Sequence, residues 1–356
     1  MLRYLTAGES HGPALTAILD GMPAGLPLTE EQIAHDLARR QHPLGAGGRM
    51  KIETDRAHIL SGVMAGTTTG APIALLIENA DHVNWKGREV PPYTMPRPGH
   101  ADLAAVTKYG YSDIRPALER ASARETAARV AIGAVCRAFL AHFGVTVTGR
   151  VTQIAGETDP EQFARVIAVA QDEGETLGGV IEACAENVPA GLGSHVQGDR
   201  RLDARLAQAL MSIQAIKGVE IGDAFANARR LGTQAHDPIG ADRARVGNRC
   251  GGIEGGISNG SPIVVHLAMK PIPTTLKPQP TVDLVTGQPT ETRYERSDIC
   301  PVPRAVVMAE AAVAFVLADV LIEKLGGDSL AEMMPRMTQI REASPALDGK
   351  PHPFWP

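Results

Sequence analysis

Gly62-Val63-Met64-Ala65-Gly66-Thr67-Thr68-Thr69-Gly70-Ala71-Pro72-Ile73-Ala74-Leu75 returns later in the chain as Gly252-Ile253-Glu254-Gly255-Gly256-Ile257-Ser258-Asn259-Gly260-Ser261-Pro262-Ile263-Val264-Val265. Each stretch reads as a glycine-rich turn, then Gly-x-Pro-Ile, then a buried strand. Chance similarity between glycine-rich segments is the alternative, but two related halves account better for the order of the whole pattern. Two halves that each contribute a sheet predict one compact body. We expect an α+β fold with an internal duplication, residues 1–330 forming a single domain and 331–356 a partly irregular extension, although the duplication alone does not specify that fold.

Working outward, Thr29-Glu30-Glu31-Gln32 is a capping box opening a helix to about Arg40. A longer helix is predicted from Ser122 to Phe143, with Ala127, Val130, Ala131, Val135 and Phe139 on one face and Gly144 as its stop. Val145 to Val151 alternates like a strand, and Asp203 caps a helix through about Ile213. Pro303 starts the last long helix and Gly326-Gly327 ends it. Its apolar run, Ala305 to Ile322, is interrupted by Glu310 and Asp319, which reads as a buried helix and not a membrane span.

The 356 residues carry a net charge of -5, which gives no electrostatic case for nucleic acid or an anionic membrane. Cys136, Cys184, Cys250 and Cys300 form no CxxC pair, so we expect no metal site and reduced thiols in a cytoplasmic protein. The segment Met1 to Glu9 turns polar too soon for a secretory signal.

Two histidines sit in glycine-flanked loops, His11 in Gly8-Glu9-Ser10-His11-Gly12 and His100 in Arg97-Pro98-Gly99-His100-Ala101-Asp102. Histidine exchanges protons near neutrality, and a stiff Arg-Pro-Gly-His loop lets one residue hold an anion while its neighbour moves a proton. Solvated loop histidines are the plainer reading. Arg39, Arg40 and Arg49 flank Gly45-Ala46-Gly47-Gly48, where guanidinium forks suit phosphate and carboxylate. In Arg120-Ala121-Ser122-Ala123-Arg124-Glu125-Thr126 a helix start gathers arginines and hydroxyls that favour phosphate, though Ser122 with Glu125 is also an ordinary capping box. Lys270-Pro271-Ile272-Pro273-Thr274-Thr275 adds a cation to a proline-stiffened loop, and Arg296 and Asp298 straddle Ser297 before the last helix. A surface loop and a structural ion pair are the alternatives there.

Taken in register, these stretches, with Asp20-Gly21-Met22-Pro23, Met211 to Gly218 and Gly251 to Gly256, make the chain resemble the chorismate synthase family from residue 8 to about 325. The resemblance implies a β-α-β sandwich of two antiparallel sheets around central helices, assembled as a homotetramer. It implies a lyase that eliminates phosphate from 5-enolpyruvylshikimate 3-phosphate to give chorismate, dependent on reduced FMN with no net redox change. NADPH enters only where the flavin is reduced in situ; otherwise an external flavin reductase is the partner.

Residue by residue, the resemblance implies that His11 protonates the departing phosphate, His100 protonates or stabilises the reduced flavin, and Asp298, near flavin N5, helps remove the ring proton. Ser10, Arg40, Arg49, Arg97 and Arg124 would hold the substrate's phosphate and carboxylates. Flavin contacts would come from Arg120, Ala121, Ser122, Gln214, Ala215, Gly255, Lys270, Pro271, Ile272, Pro273, Thr274 and Arg296. One departure stands out: Ala46 occupies a place where the family usually has arginine. Losing one charged hydrogen bond to phosphate costs about 1.5–3 kcal/mol where nothing such as Lys51 compensates.

Overall fold

The computed structural model describes residues 1–41, 55–294, 298–343, 347 and 349. A hairpin of β1 (Arg3–Ala7) and β2 (Ala14–Asp20) is followed by helix α1 (Glu30–Gln41) and strand β3 (Ala57–Ile59). A small ribbon of β4 (Val63–Met64) and β5 (Thr67–Thr68) then leads into β6 (Ile73–Glu78). Helices α2 (Asp102–Tyr109), α3 (Arg115–Arg120) and α4 (Thr126–His142) follow.

The second half comprises β7 (Thr146–Ile154), α5 (Phe163–Asp172), β8 (Gly179–Glu186), α6 (Leu202–Met211) and β9 (Ile216–Ile221). Two short helices, α7 (Ala224–Asn227) and α8 (Gly232–Ala235), precede the ribbon of β10 (Ile253–Glu254) and β11 (Ile257–Ser258), and then β12 (Ile263–Met269). A last hairpin, β13 (Pro280–Val282) and β14 (Pro289–Glu291), precedes α9 (Val302–Leu325) and α10 (Leu330–Glu342).

The two principal sheets are ordered β1-β2-β6-β3 and β7-β8-β12-β9, and both are antiparallel throughout. In each, the last strand of the half inserts between its second and third. The fold is thus α+β, with helices and several antiparallel sheets. Both ribbons turn on two residues with positive φ, Ala65 and Gly66 in one and Gly255 and Gly256 in the other, as type I′ turns require. The likeness extends to buried hydrogen bonds. Thr68 Oγ1 donates to Pro23 O at 2.7 Å and accepts from Leu26 N at 2.9 Å; Ser258 Oγ donates to Pro189 O at 2.7 Å and accepts from Leu192 N at 2.9 Å. The partner segments both read Pro-Ala-Gly-Leu, an echo that the ribbons alone did not reveal.

Alternation buries Leu15, Ala17 and Leu19 of β2 with Ile73, Leu75 and Ile77 of β6, and likewise Ile181, Ala183 and Ala185 of β8 with Ile263, Val265 and Leu267 of β12. Helix α4 packs on β1, β2 and β6, α9 packs on β7 and β8, and the two helices pack on each other. Among the described residues α9 is the one helix long and apolar enough to cross a membrane, and it is mostly buried within the protein. Its two acids are buried because each is paired. Glu310 accepts two bonds from Arg39, at 2.6 and 2.8 Å, and one from Arg137 at 3.0 Å; Asp319 accepts from Leu2 N at 2.6 Å and pairs with Arg205.

The α1 capping box forms as read, with Thr29 N donating to Gln32 Oε1 at 2.8 Å. Other boundaries shift. Helix α6 starts at Leu202, and Asp203 lies inside it, its carboxylate taken by Arg201 instead of serving as a cap. Ahead of α4, Ala123–Glu125 form a 3-10 turn, and Ser122 caps it by accepting from Arg124 N. Glu125 does not close a capping box; its carboxylate accepts from Thr6, Arg129 and Gln214.

The crossing of α4 and α9 is so close that a Cβ on Gly133 would lie 2.2 Å from Ala311 Cβ and 2.5 Å from its Cα. Alanine is the better helix former by about 1 kcal/mol, but overpacking typically costs about 1–3 kcal/mol. No rotamer of so short a side chain relieves the clash. Gly133→Ala is therefore expected to lower the urea midpoint, and a raised midpoint would show that the helices separate freely.

Candidate active site

The loop between β1 and β2 carries Ser10 and His11 and is held from three sides. Glu119, near the end of α3, accepts from His11 N at 2.7 Å and lies 2.7 Å from His11 Nδ1. The 3-10 turn Ala80–Asn84 brings His82, whose Nδ1 donates to His11 O at 2.9 Å, and Trp85 follows it with its ring 4.4 Å from the imidazole. Asn79 donates to Glu9 O and Gly12 O. The His11 side chain keeps 18 % of its surface open.

The segment after α3 folds over this loop. Arg120 donates to Gly8 O, Thr6 O and Thr6 Oγ1, and Ser122 Oγ donates to Ser10 Oγ at 3.2 Å. Arg124 is buried and donates to Asp55 at 2.6 Å, Asn79 Oδ1 at 2.8 Å and Glu78 O at 3.3 Å. Arg40, at the end of α1, is also buried; it donates to Thr126 Oγ1 and Ala123 O and lies 3.4 Å from Asp55. Burial first, and then the neighbouring Arg304 charge, push the Arg40 guanidinium down to about 9, against the pull of Asp55. Arg304, in the first turn of α9, grips Asp298 at 2.9 Å; burial lowers it too, and Asp298 opposes that. Ser10, His11, Arg40, Arg120, Ser122 and Arg124 therefore gather in one place, with Asp298 reaching them through Arg304.

A second group forms around the other histidine. Arg97 donates to Asp102 at 2.8 Å and lies 3.0 Å from His100 Nδ1, while Asp102 closes on that same ring nitrogen. Burial would raise the Asp102 carboxyl, but the hydrogen bonds from His100 and Arg97 outweigh it and hold the group far below the carboxylate range. Arg97 also reaches Thr274 Oγ1 at 3.4 Å. Gly99 lies against Lys270 and Pro273, and Thr176 Oγ1 donates to Ile272 O. Burial and the neighbouring Lys217 both lower the Lys270 ammonium. Pro271 contributes its carbonyl, 3.3 Å from Lys270 Nζ.

Contacts join the two groups without a break. Arg120 and Glu125 share Thr6, Gln214 donates to Glu125 at 3.1 Å, and Ala215 O accepts from Lys270 N at 3.0 Å. Ala121 ends α3 within this chain of contacts. Gly255 is not brought in; the contacts of its ribbon run to Gly193, Arg201 and Leu202. Arg49, Arg296, Ala46 and Lys51 lie outside the described residues. Among those described, no cluster of three or more His, Cys, Asp or Glu has the makings of a metal site.

Sequence reading did not assign roles to Glu119, Asp102, Asp55 or Arg304. Asp102 stands inside the quoted Arg97 to Asp102 motif, where a carboxylate near a histidine is a readable signal; Glu119 directly precedes the Arg120 to Thr126 motif but lies 108 positions from His11. Asp55 has no such local signal, because Arg40 and Arg124 lie far along the chain, whereas Arg304 stands only six residues from its partner Asp298, a spacing that is readable. Chemically, the arrangement offers two imidazoles each set against a carboxylate, and a buried bank of guanidiniums suited to an anion.

The comparisons agree over nearly the whole chain. The sequence profile of chorismate synthase matches residues 2–322. The chorismate synthase of Geobacter metallireducens is 52% identical, with 94% of this chain and 96% of that protein covered. That of Caldanaerobacter subterraneus subsp. tengcongensis is 53% identical over 93% of this chain and 96% of its own. A crystal structure of chorismate synthase superposes with a TM-score of 0.78 at 44% identity, covering 96% of this chain and 99% of the other. The chain belongs to the chorismate synthase family.

Proposed function

We propose that the joined His11 and His100 groups form the centre at which this lyase converts 5-enolpyruvylshikimate 3-phosphate into chorismate and phosphate by anti 1,4-elimination. Arg40, Arg124 and Ser10, with Arg49 and Arg97, hold the phosphate and carboxylates, and His11 gives its proton to the departing phosphate. Asp298, held by Arg304, accepts the ring proton. The observation that carries this reading is the convergence on one connected site of two carboxylate-paired imidazoles and the buried Arg40 and Arg124. Charge that develops on a leaving phosphate is best met by donors already fixed in a dry site.

The residues also suit a flavin phosphate and ring. Lys270 and Lys217 stand close with no acidic side chain paired to either among the described residues, and Gln214 Oε1 is a buried acceptor without a partner. Lys270 to Thr274, Arg296, Gln214, Ala215 and the segment Arg120 to Ser122 would hold FMN, and His100 would keep a proton against it. When bound, reduced FMN lends electron density to the allylic system and recovers it. Gly255 stands apart from these residues and would reach the flavin only across an interface with a neighbouring copy. We further read the repeated strand order and hydroxyl latches as an internal duplication building a β-α-β sandwich within one catalytic domain, residues 1–330. Family membership supports a cytoplasmic homotetramer supplied by an external flavin reductase.

The test is anaerobic: the full-length protein, dithionite-reduced FMN and 5-enolpyruvylshikimate 3-phosphate, with phosphate and chorismate followed together. Equal amounts of both, far exceeding the flavin, are expected. Reductant consumed in step with turnover, or substrate bound without product, would overturn the reading.

A further inference from the structure

We infer that Glu119 is the positioning residue for His11, fixing which imidazole nitrogen carries the permanent proton and which faces the reaction. One carboxylate makes two bonds to the same residue, Oε2 accepting from the His11 backbone N–H and Oε1 lying at the Nδ1 nitrogen, both at 2.7 Å. An ionised carboxylate only accepts, so Nδ1 must be the donor and Nε2 is left as the exchanging nitrogen. Trp85 against the ring and His82 on the carbonyl oxygen restrict the remaining freedom of the residue. Glu119 itself is only 12 % exposed and stands on α3, a rigid support. This inference rests on the reading of His11 as the proton donor. As the carbon–oxygen bond breaks, the electron pair leaves with phosphate and the Nε2 proton follows it. The ring must carry positive charge beforehand, and the Glu119 carboxylate faces that charge from the Nδ1 side, as the acid of a Ser-His-Asp triad does.

Glu119→Gln tests this because an amide has one acceptor for two donors. The backbone N–H cannot change, so it keeps the amide oxygen, and the NH2 group then faces Nδ1. The neutral ring must answer by moving its proton to Nε2. Solid-state nitrogen-15 spectra of histidine-labelled full-length protein, with the His11 signal assigned by difference against His11→Asn, are expected to show Nδ1–H in the parent and Nε2–H in Glu119→Gln. Turnover is expected to fall about 100-fold with KM changed less than about threefold, the scale typical of lost orienting partners. An unchanged tautomer, or turnover within about threefold of the parent, would overturn the inference. Should His11→Ala retain full turnover, the proton-donor reading would fail while the tautomer reversal still stood or fell by itself.

Discussion

Replacing either His11 or His100 by alanine is expected to lower turnover by about two orders of magnitude or more, the usual contribution of a positioned acid or base. The two substitutions differ in their side effects. His11 is anchored through its backbone as well as its ring, since Glu119 accepts from His11 N and His82 donates to His11 O. An alanine there leaves the loop bonds in place and removes only the imidazole, so substrate binding should change little while turnover collapses. His100 is part of a closed set with Arg97 and Asp102. Its loss leaves Asp102 to Arg97 alone and frees the guanidinium to shift, so His100→Ala should raise KM as well as lower turnover. Steady-state kinetics under anaerobic conditions, with flavin binding measured separately, resolve the two patterns. Near-parental rates in both variants would remove the histidines from the chemistry.

Much of this was legible in the sequence because it is local. The ribbons at Ala65-Gly66 and Gly255-Gly256 announce themselves by glycines, and the strands behind them by Ile73 and Ile263 after proline. The last helix was readable from Pro303 and Gly326, and even Glu310 and Asp319 were rightly compatible with burial. What stayed hidden is long-range. Thr68 and Ser258 look like ordinary turn hydroxyls until Pro23 and Pro189 are seen above them. The site behaves the same way. Asp102 is two residues from His100, whereas Asp55 meets Arg124 across 69 positions and nothing near Asp55 names its partner. Glu125 misled for a related reason: local spacing marks it as a cap, but Thr6, Arg129 and Gln214 offer its carboxylate three donors from outside the turn.

The hidden residue Asp55 carries the second large effect. Asp55→Ala is expected to lose about 3–5 kcal/mol of stability, the range for breaking a buried ion pair from one side, read from urea midpoints at a fixed protein concentration. Its carboxylate is wholly buried and serves Arg124 at 2.6 Å and Arg40 at 3.4 Å, both of them buried as well. Among the described residues, Thr126, Asn79 and the carbonyls of Ala123 and Glu78 also take N–H groups of these arginines but bring no negative charge. Arg304 adds a third guanidinium, balanced by Asp298. Among the described residues the cluster already has three cations to two anions, so removing Asp55 leaves a surplus of two in a dry site. If Arg40 and Arg124 are the phosphate-holding pair, an added anion should do part of the work that Asp55 did. Inorganic phosphate is therefore expected to raise the midpoint of Asp55→Ala more than that of the parent, because binding to the folded state alone stabilises it. A midpoint unmoved by the substitution would mean that the arginines are not held by this charge. A variant destabilised as expected but indifferent to phosphate would place the anion elsewhere, and Arg40 would then be a structural arginine.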